Sequence, residues 1–318
     1  MLKGSYEEAR PYLEKAASYF EQIIDNQGIA RAYGNLGNLY FRQGEYDMAK
    51  DYFSKSIHIS RENGLRSPAQ IVSNLGLIFM NQGDYTEGVK IQKEELDIAE
   101  KNNDLAGAST LWVNLGIVYF EKGDDNAALR CFEKGLELCQ LLGNKQFISI
   151  ALGCIGNVWR IKGNFEKANE YLTEDLKMCI ELGDKQGIAI AHELIGKLHS
   201  TKGEFKEALY HFEESLKGCN QLNYQKGIAK ALHGLSETFS LHNDFLKAIK
   251  CCDEAVVIAR KINNKLILGQ CLVEKALVLI KAGDITGAKA IQKETIEVAE
   301  SLGNEKLTRQ VQAFLNKI

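Results

Sequence analysis

The 318 residues carry 39 Lys and Arg against 42 Asp and Glu, a formal charge of −3. A slightly acidic chain lacks the broad positive field that non-specific nucleic-acid binding draws on, and 45% apolar residues are enough to build a core, which excludes intrinsic disorder. Only 2 prolines accompany 28 glycines, a balance that suits helices closed by glycine caps and not a loop-rich β fold.

No apolar run approaches the ~20 residues of a membrane helix, and no partner membrane is expected. The N-terminus, opening Met1-Leu2-Lys3-Gly4, lacks the apolar core of a signal peptide. Eight cysteines in a long chain without an export signal read as reduced thiols, so the expected compartment is cytoplasmic.

In chain order, Gly4, Tyr6 and Ala9 stand 40 residues ahead of Gly44, Tyr46 and Ala49, so residues 1–26 are expected to be the second helix of a partial unit. Pro11 sits inside that helix, where it would bend it. From residue 27 one unit repeats. Its anchor is the small residue of Asn35-Leu36-Gly37, met again at Gly76, Gly116, Gly156 and Gly196 and degrading to Ser236 and Ala276, in steps of 40 after a single step of 39. The expected units are 27–66, 67–105, 106–145, 146–185, 186–225, 226–265 and 266–304. Pro68 after Ser67 reads as a cap followed by the first turn of a helix. Residues 305–318, with Leu307, Val311, Phe314 and Leu315, read as a further first helix or a closing cap. The pattern at both ends fits an excised segment of a longer protein or a native cap.

Within each unit the anchor lies on helix A. Apolar residues at −4, −1 and +3 from it, Tyr33, Leu36 and Tyr40 in unit one and Trp112, Leu115 and Tyr119 in unit three, share one helical face. Seven residues past the anchor comes Gly44, Gly83, Gly123, Gly163, Gly203 or Gly283, with Asn243 in unit six. These are the residues a left-handed position past a helix end demands. Helix B follows with Ala49, Ala128, Ala168, Ala208, Ala248 and Ala288 in register, and Gly88 in unit two. Such a pair cannot bury its apolar side alone and must stack on its neighbours. The fold class is therefore all-α, an α-solenoid of helix-turn-helix repeats.

The combination of Tyr33, Leu36-Gly37, Tyr40, Ala49 and Phe53, recurring in register, resembles the tetratricopeptide repeat family. The step of 40 exceeds the family's usual ~34 and is similar to its long-helix variant, found in Pins-type adaptors and in the sensor arms of maltose-activator-type regulators. The resemblance implies a right-handed superhelix with a concave binding face. Asp125, Glu95 and Asp175 depart from the pattern, and unit seven, with Lys275 and Gln292 on packing positions, departs most.

Phosphate-loop, nucleophile-elbow, His-Glu-x-x-His and Cys-x-x-Cys motifs are all missing. No catalytic residue, cofactor or metal ligand is expected, and the chain reads as a non-enzyme. His192 and His199 fall where unit one has Tyr33 and Tyr40, so they read as fillers of aromatic slots. Cys139, Cys179 and Cys219 occupy a slot that elsewhere holds Ser60, Ala99, Ala259 and Ala299, a slot for small side chains.

The residues that solve no packing problem lie at −6, −2, +1 and +5 from the anchor, the face that lines the concave side in the family. Unit one presents Arg31, Asn35, Asn38 and Arg42; unit two Gln70, Asn74, Leu77 and Asn81; unit three adds Asn114; unit four Asn157, with Arg160 one turn on. Asparagine at −2 in three successive units forms a ladder. A side-chain amide both donates and accepts, so it suits a peptide backbone of any sequence; the same amides could instead bridge adjacent A helices. Arg31 and Arg42 suit ligand carboxylates or a free C-terminus, unless they pair with Glu45 or Asp47. The leading expectation is a non-catalytic protein–protein interaction scaffold holding a peptide segment with acidic residues in its groove. The alternative is a sensor or oligomerisation arm of a larger multidomain regulator. Base-by-base RNA reading fits neither the charge nor the inner residues.

Overall fold

In the computed structural model the backbone is described for residues 2–43, 45–65, 67–302 and 305–316. Gly44 and the side chains of Tyr6 and Asn81 lie outside the described residues.

All regular structure among these residues is helical. The order is α1 (Leu2–Gln22), α2 (Asn26–Gln43), α3 (Tyr46–Glu62), α4 (Ala69–Asn81), α5 (Tyr85–Lys101), α6 (Leu105–Lys122), α7 (Asp125–Leu141), α8 (Lys145–Ile161) and α9 (Phe165–Leu182). Then follow α10 (Lys185–Lys202), α11 (Phe205–Gln221), α12 (Gln225–Leu241), α13 (Phe245–Lys261), α14 (Lys265–Lys281), α15 (Ile285–Ala290), α16 (Gln292–Leu302) and α17 (Glu305–Leu315). The even-numbered helices α2 to α14 are the A helices. Each packs on its own B helix and on the A helix of the next unit, as α4 does on α6 and α10 on α12. The A helices thus form one continuous layer, which is the inner one.

The turns are set locally. Gly83, Gly123, Gly163, Gly203 and Gly283 have φ from +77° to +95° and Asn243 has +60°, the left-handed residues the sequence demands after helix A. Asp84, Asp124, Asn164, Asp244 and Asp284 then cap helix B, each side chain accepting a backbone N–H of the first turn. A second left-handed position, between units, falls on Gly64, Asn103, Gly143, Gly183, Asn223 and Asn263. Pro68, not Ser67, is the residue flanking α4; its ψ of 124° is extended, so the helix opens one residue later than the cap reading expects. α1 continues through Pro11.

Packing follows the small-residue logic. Phe53, Phe132 and Phe212 of helix B are wholly buried against the anchors Gly37, Gly116 and Gly196, where a Cβ would lie 3.0 Å or less from the ring. Cys139, Cys179 and Cys219 are buried free thiols, as the small slot requires. Helix B of unit seven is broken at Ile291 into α15 and α16. The next residue, Gln292, stands in the slot of Phe53 and is only half-buried. α17 closes this end with Leu307, Val311 and Phe314 buried.

Candidate functional site

Because the A helices are the inner layer, their off-stripe face lines the lumen. At its N-terminal end Arg31, Asn35, Arg42 and Gln70 are exposed, while Asn38, Asn114, Asn157 and Arg160 are half-buried. Asn74 is 8% exposed. Its Nδ2 donates to Asn38 Oδ1 at 2.9 Å, and its Oδ1 accepts from Gln70 Nε2 at 3.0 Å. Asn114 Nδ2 donates to Ser73 Oγ at 2.7 Å. Two rungs of the ladder therefore tie α4 to α2 and α6 to α4, which is the bridging role an amide in this layer can take. Asn35 is the rung left facing the lumen. Asp47 accepts from Gln82 at 2.9 Å, and neither Arg31 nor Arg42 makes an ion pair among the described residues.

Further along, side chains from α6, α8, α10, α12, α14 and α17 enclose a cavity of about 580 Å³. Arg160 lines it, held by Nε donating to Asn157 Oδ1 at 3.0 Å and Nη1 to Thr201 Oγ1 at 3.2 Å. Its guanidinium pKa is lowered by burial, against the opposing pull of Glu237 and Glu193. Glu193 on α10 is 4% exposed and ion-paired with Lys197. Burial alone would raise its pKa, yet Lys197 and Lys230 hold it down to about 2. Lys230 is raised in return, with Glu193 the largest cause. On the far wall burial and the neighbouring Glu237 raise Glu274. Lys281 Nζ reaches Ser240 Oγ at 3.0 Å. The lumen thus has an amide and guanidinium entrance, followed by a chamber lined by basic Arg160, Lys197 and Lys281 and acidic Glu121, Glu237 and Glu274. It offers hydrogen bonds and charge of both signs, and among the described residues no metal-holding cluster of His, Cys, Asp and Glu.

The structure places Arg31, Asn35, Arg42 and Arg160, expected from the sequence on the inner face, on that layer, and adds Lys197, Glu237, Glu274 and Lys281 of the later units around the chamber. Sequence reasoning missed Glu193 and His233, both three residues before the anchor. The signal was available: other units hold Gly34, Ser73 and Gly153 there, so a charge or imidazole stands out.

A solenoid of paired helices stacked unit on unit, with a polar lumen, defines an α-helical repeat protein. The sequence model of the family described as tetratricopeptide repeat matches residues 1–62, 67–140 and 147–221, well over half of the chain, and the chain belongs to that family. Among solved structures it is similar to the apo form of the quorum sensor NprR from B. thuringiensis, at 15% identity and a TM-score of 0.65 over 93% of this chain and 83% of that one. It is also similar to a Rap protein complexed with competence and sporulation factor, at 14% identity and a TM-score of 0.58 over 91% and 99%. Among curated proteins it matches response regulator aspartate phosphatase A of Bacillus subtilis at 31% identity over 110 residues, 33% of this chain and 29% of the relative. Response regulator aspartate phosphatase J of the same organism matches at 29% over 85 residues, 27% and 23% of the two chains. The chain therefore aligns with less than a third of the length of either curated relative. Among the described residues no helix is long and apolar enough to cross a membrane.

Proposed function

We propose that this chain is a non-catalytic binding scaffold that holds an extended peptide segment in its lumen. The observation that carries the reading is the chamber of about 580 Å³, into which charged side chains of successive A helices turn when they could have faced bulk water. Exposed Arg31, Asn35 and Arg42 at the entrance support it, because they present donors with no competing partner among the described residues. Similar folds in the solved set include a Rap conjugation gene regulator in complex with a Phr* peptide. The ligand in this reading places carboxylates or its C-terminus at Arg31 and Arg42, where charge-assisted hydrogen bonds form.

The test begins with capture of the bound segment from the native protein and its identification by mass spectrometry. Affinity for that segment is then measured from ~50 to 500 mM salt, a range over which the Debye length shrinks several-fold. Wild type is expected to weaken as salt rises, and Arg31→Ala/Arg42→Ala to bind roughly tenfold or more weakly with a flatter salt response, since hydrogen bonds to charged groups contribute ~1.5–3 kcal/mol. Asn35→Ala should weaken binding at unchanged stability, whereas Asn74→Ala should lower stability because it removes the α2–α4 bridge. A flat salt response in wild type and in the double variant overturns the reading.

A second reading, a sensor or oligomerisation arm of a larger regulator, is favoured by one observation. The chain matches, over 98% of its own length but 50% of the other's, a signal transduction ATPase with a tetratricopeptide repeat sensor from Pyrococcus horikoshii, at 20% identity and a TM-score of 0.54. A gene that carries an output domain beside these repeats would favour it.

A further inference from the structure

In unit one three tyrosines fill the seam between helices A and B. Tyr33 and Tyr40 on α2 have ring centres 5.8 and 5.4 Å from that of Tyr52 on α3, and Tyr40 is nearly parallel to it at 5°. Unit five puts a histidine at each equivalent position: His192 and His199 on α10, His211 on α11. The packing is preserved. His192 and His199 lie 5.0 and 5.4 Å from His211, the second pair stacked at 11°. The other units fill these slots with aromatic, aliphatic or cysteine side chains, so unit five alone has groups that ionise near neutrality between A and B.

The contact between His192 and His211 requires a neutral ring. His192 Nδ1 and His211 Nδ1 are 2.9 Å apart, so one ring donates and the other must accept, which only a neutral imidazole can do. His199 lies flat on the same His211 ring, where a second positive charge would face the first. All three rings are half-buried. We propose that this imidazole seam is a proton-operated joint: uncharged, it holds α10 on α11; protonated, it parts them and shifts the wall of the lumen chamber that α10 carries.

The coupling is short. Lys197, Ser200 and Thr201 of α10 line the chamber, and His199 is the residue next to Ser200. The charged groups that face the rings are few. Glu214 of α11 faces His192, while Glu204 of the following turn sits 2.6 Å from His199 Nδ1 and is shared with Lys202. α9 and α12, packed against this pair, add no charge that registers on His192 or His211. Burial, then His192 and His199, push His211 down to about 4, and burial lowers His192 as well. A folded-state pKa below the unfolded one means the seam's contribution is complete above pH ~6.5 and is lost as pH falls towards the folded value. The joint does not depend on what occupies the lumen.

The experiment follows histidine titration by NMR and amide hydrogen exchange of the full chain from pH 8 to 4.5, exchange rates being corrected for their intrinsic pH dependence. One imidazole that titrates near 4 folded and near 6.5 when opened raises the local opening constant by about 30-fold between pH 8 and 5. That rise is expected in α10 and α11 and not in α6 and α7. His192→Tyr/His199→Tyr/His211→Tyr restores the side chains of unit one and should abolish it, and His211→Phe alone should reduce it. His211 titrating at its ordinary value in wild type, or an equal rise in α6 and α7, overturns the proposal. So does an undiminished rise in His211→Phe.

Discussion

Gln92 shows what one residue out of pattern costs. It occupies the slot of Phe53 and Leu172, is fully buried, and neither its Oε1 nor its Nε2 has a hydrogen-bond partner. A buried polar group left unsatisfied costs ~1–3 kcal/mol, so Gln92→Leu, which copies unit four, should raise the thermal midpoint. An unchanged or lower midpoint would show that the amide is satisfied in solution. Asp175 departs differently. It is 4% exposed, accepts from Ser149 and Cys179, and burial raises its pKa to about 6. Its folded pKa lies above the unfolded value near 3.8, so the native state binds the proton more tightly and wild-type stability rises as pH falls from 7 towards 4. Asp175→Asn should be more stable than wild type at pH 7, by on the order of 2 kcal/mol, with the difference closing near pH 4. Thermal melts of both proteins at the two pH values check the sign. Glu95, which departs from the repeat pattern, is ion-paired with Arg61 Nη2 at 2.6 Å from the preceding B helix. Both acids stand out in the sequence as departures. Their partners did not, because each lies on another helix: Ser149 meets Asp175 when α8 pairs with α9 inside one unit, and Arg61 meets Glu95 only once units are stacked.

At the scale of the element, most of the fold was legible because the signals are local. A left-handed residue, a cap and an apolar stripe each act within a few positions, and their recurrence predicts helix, turn and helix without knowledge of the neighbours. The second, inter-unit turn carries the same signal: Gly64, Asn103, Gly143, Gly183, Asn223 and Asn263 all stand 27 residues past an anchor. One register earlier the same left-handed place is taken by Ile24, with φ +56°. A β-branched residue there is strained by roughly 1–3 kcal/mol. Because Ile24 is 78% exposed and contributes little packing, Ile24→Asn should stabilise the α1–α2 turn. A higher midpoint at unchanged helicity is the expected result; a lower one would mean that the isoleucine makes contacts that outweigh the strain. The site was less legible than the helices. Whether an inner-face amide meets the lumen or a neighbouring helix depends on what stands before it: Asn74 and Asn114 each donate back to the preceding A helix, whereas α2 follows α1, a B helix. Asn35 and Asn74 hold the same place in their units, yet only Asn74 is spent as a bridge.

For the whole molecule the decisive feature is how far the stack curls. The turn after α4 reaches the end of α16: a Cβ on Gly83 would lie 1.9 Å from the Leu302 carbonyl oxygen. Beside it Glu45, Tyr46, Asp47, Met48 and Gln82 share a pocket of about 600 Å³ with Asn263 and Lys265. Units at opposite ends of the sequence therefore close one turn of the superhelix, and Lys265 brings a positive charge to the side that carries Glu45 and Asp47. No repeat signature encodes this contact, because it is the sum of the small rotation at every unit. Gly83→Ala isolates it when compared with Gly123→Ala. Both glycines are left-handed, with φ +86° and +95°, so both variants carry the same backbone penalty, roughly 1 kcal/mol. Only at Gly83 does the new methyl group meet another segment; at Gly123 nothing lies within 4 Å. Small-angle X-ray scattering should therefore report a larger radius of gyration for Gly83→Ala than for Gly123→Ala, which should match wild type. Equal radii in the two variants would mean that the superhelix stands open in solution and that the chamber is bounded by the A helices alone.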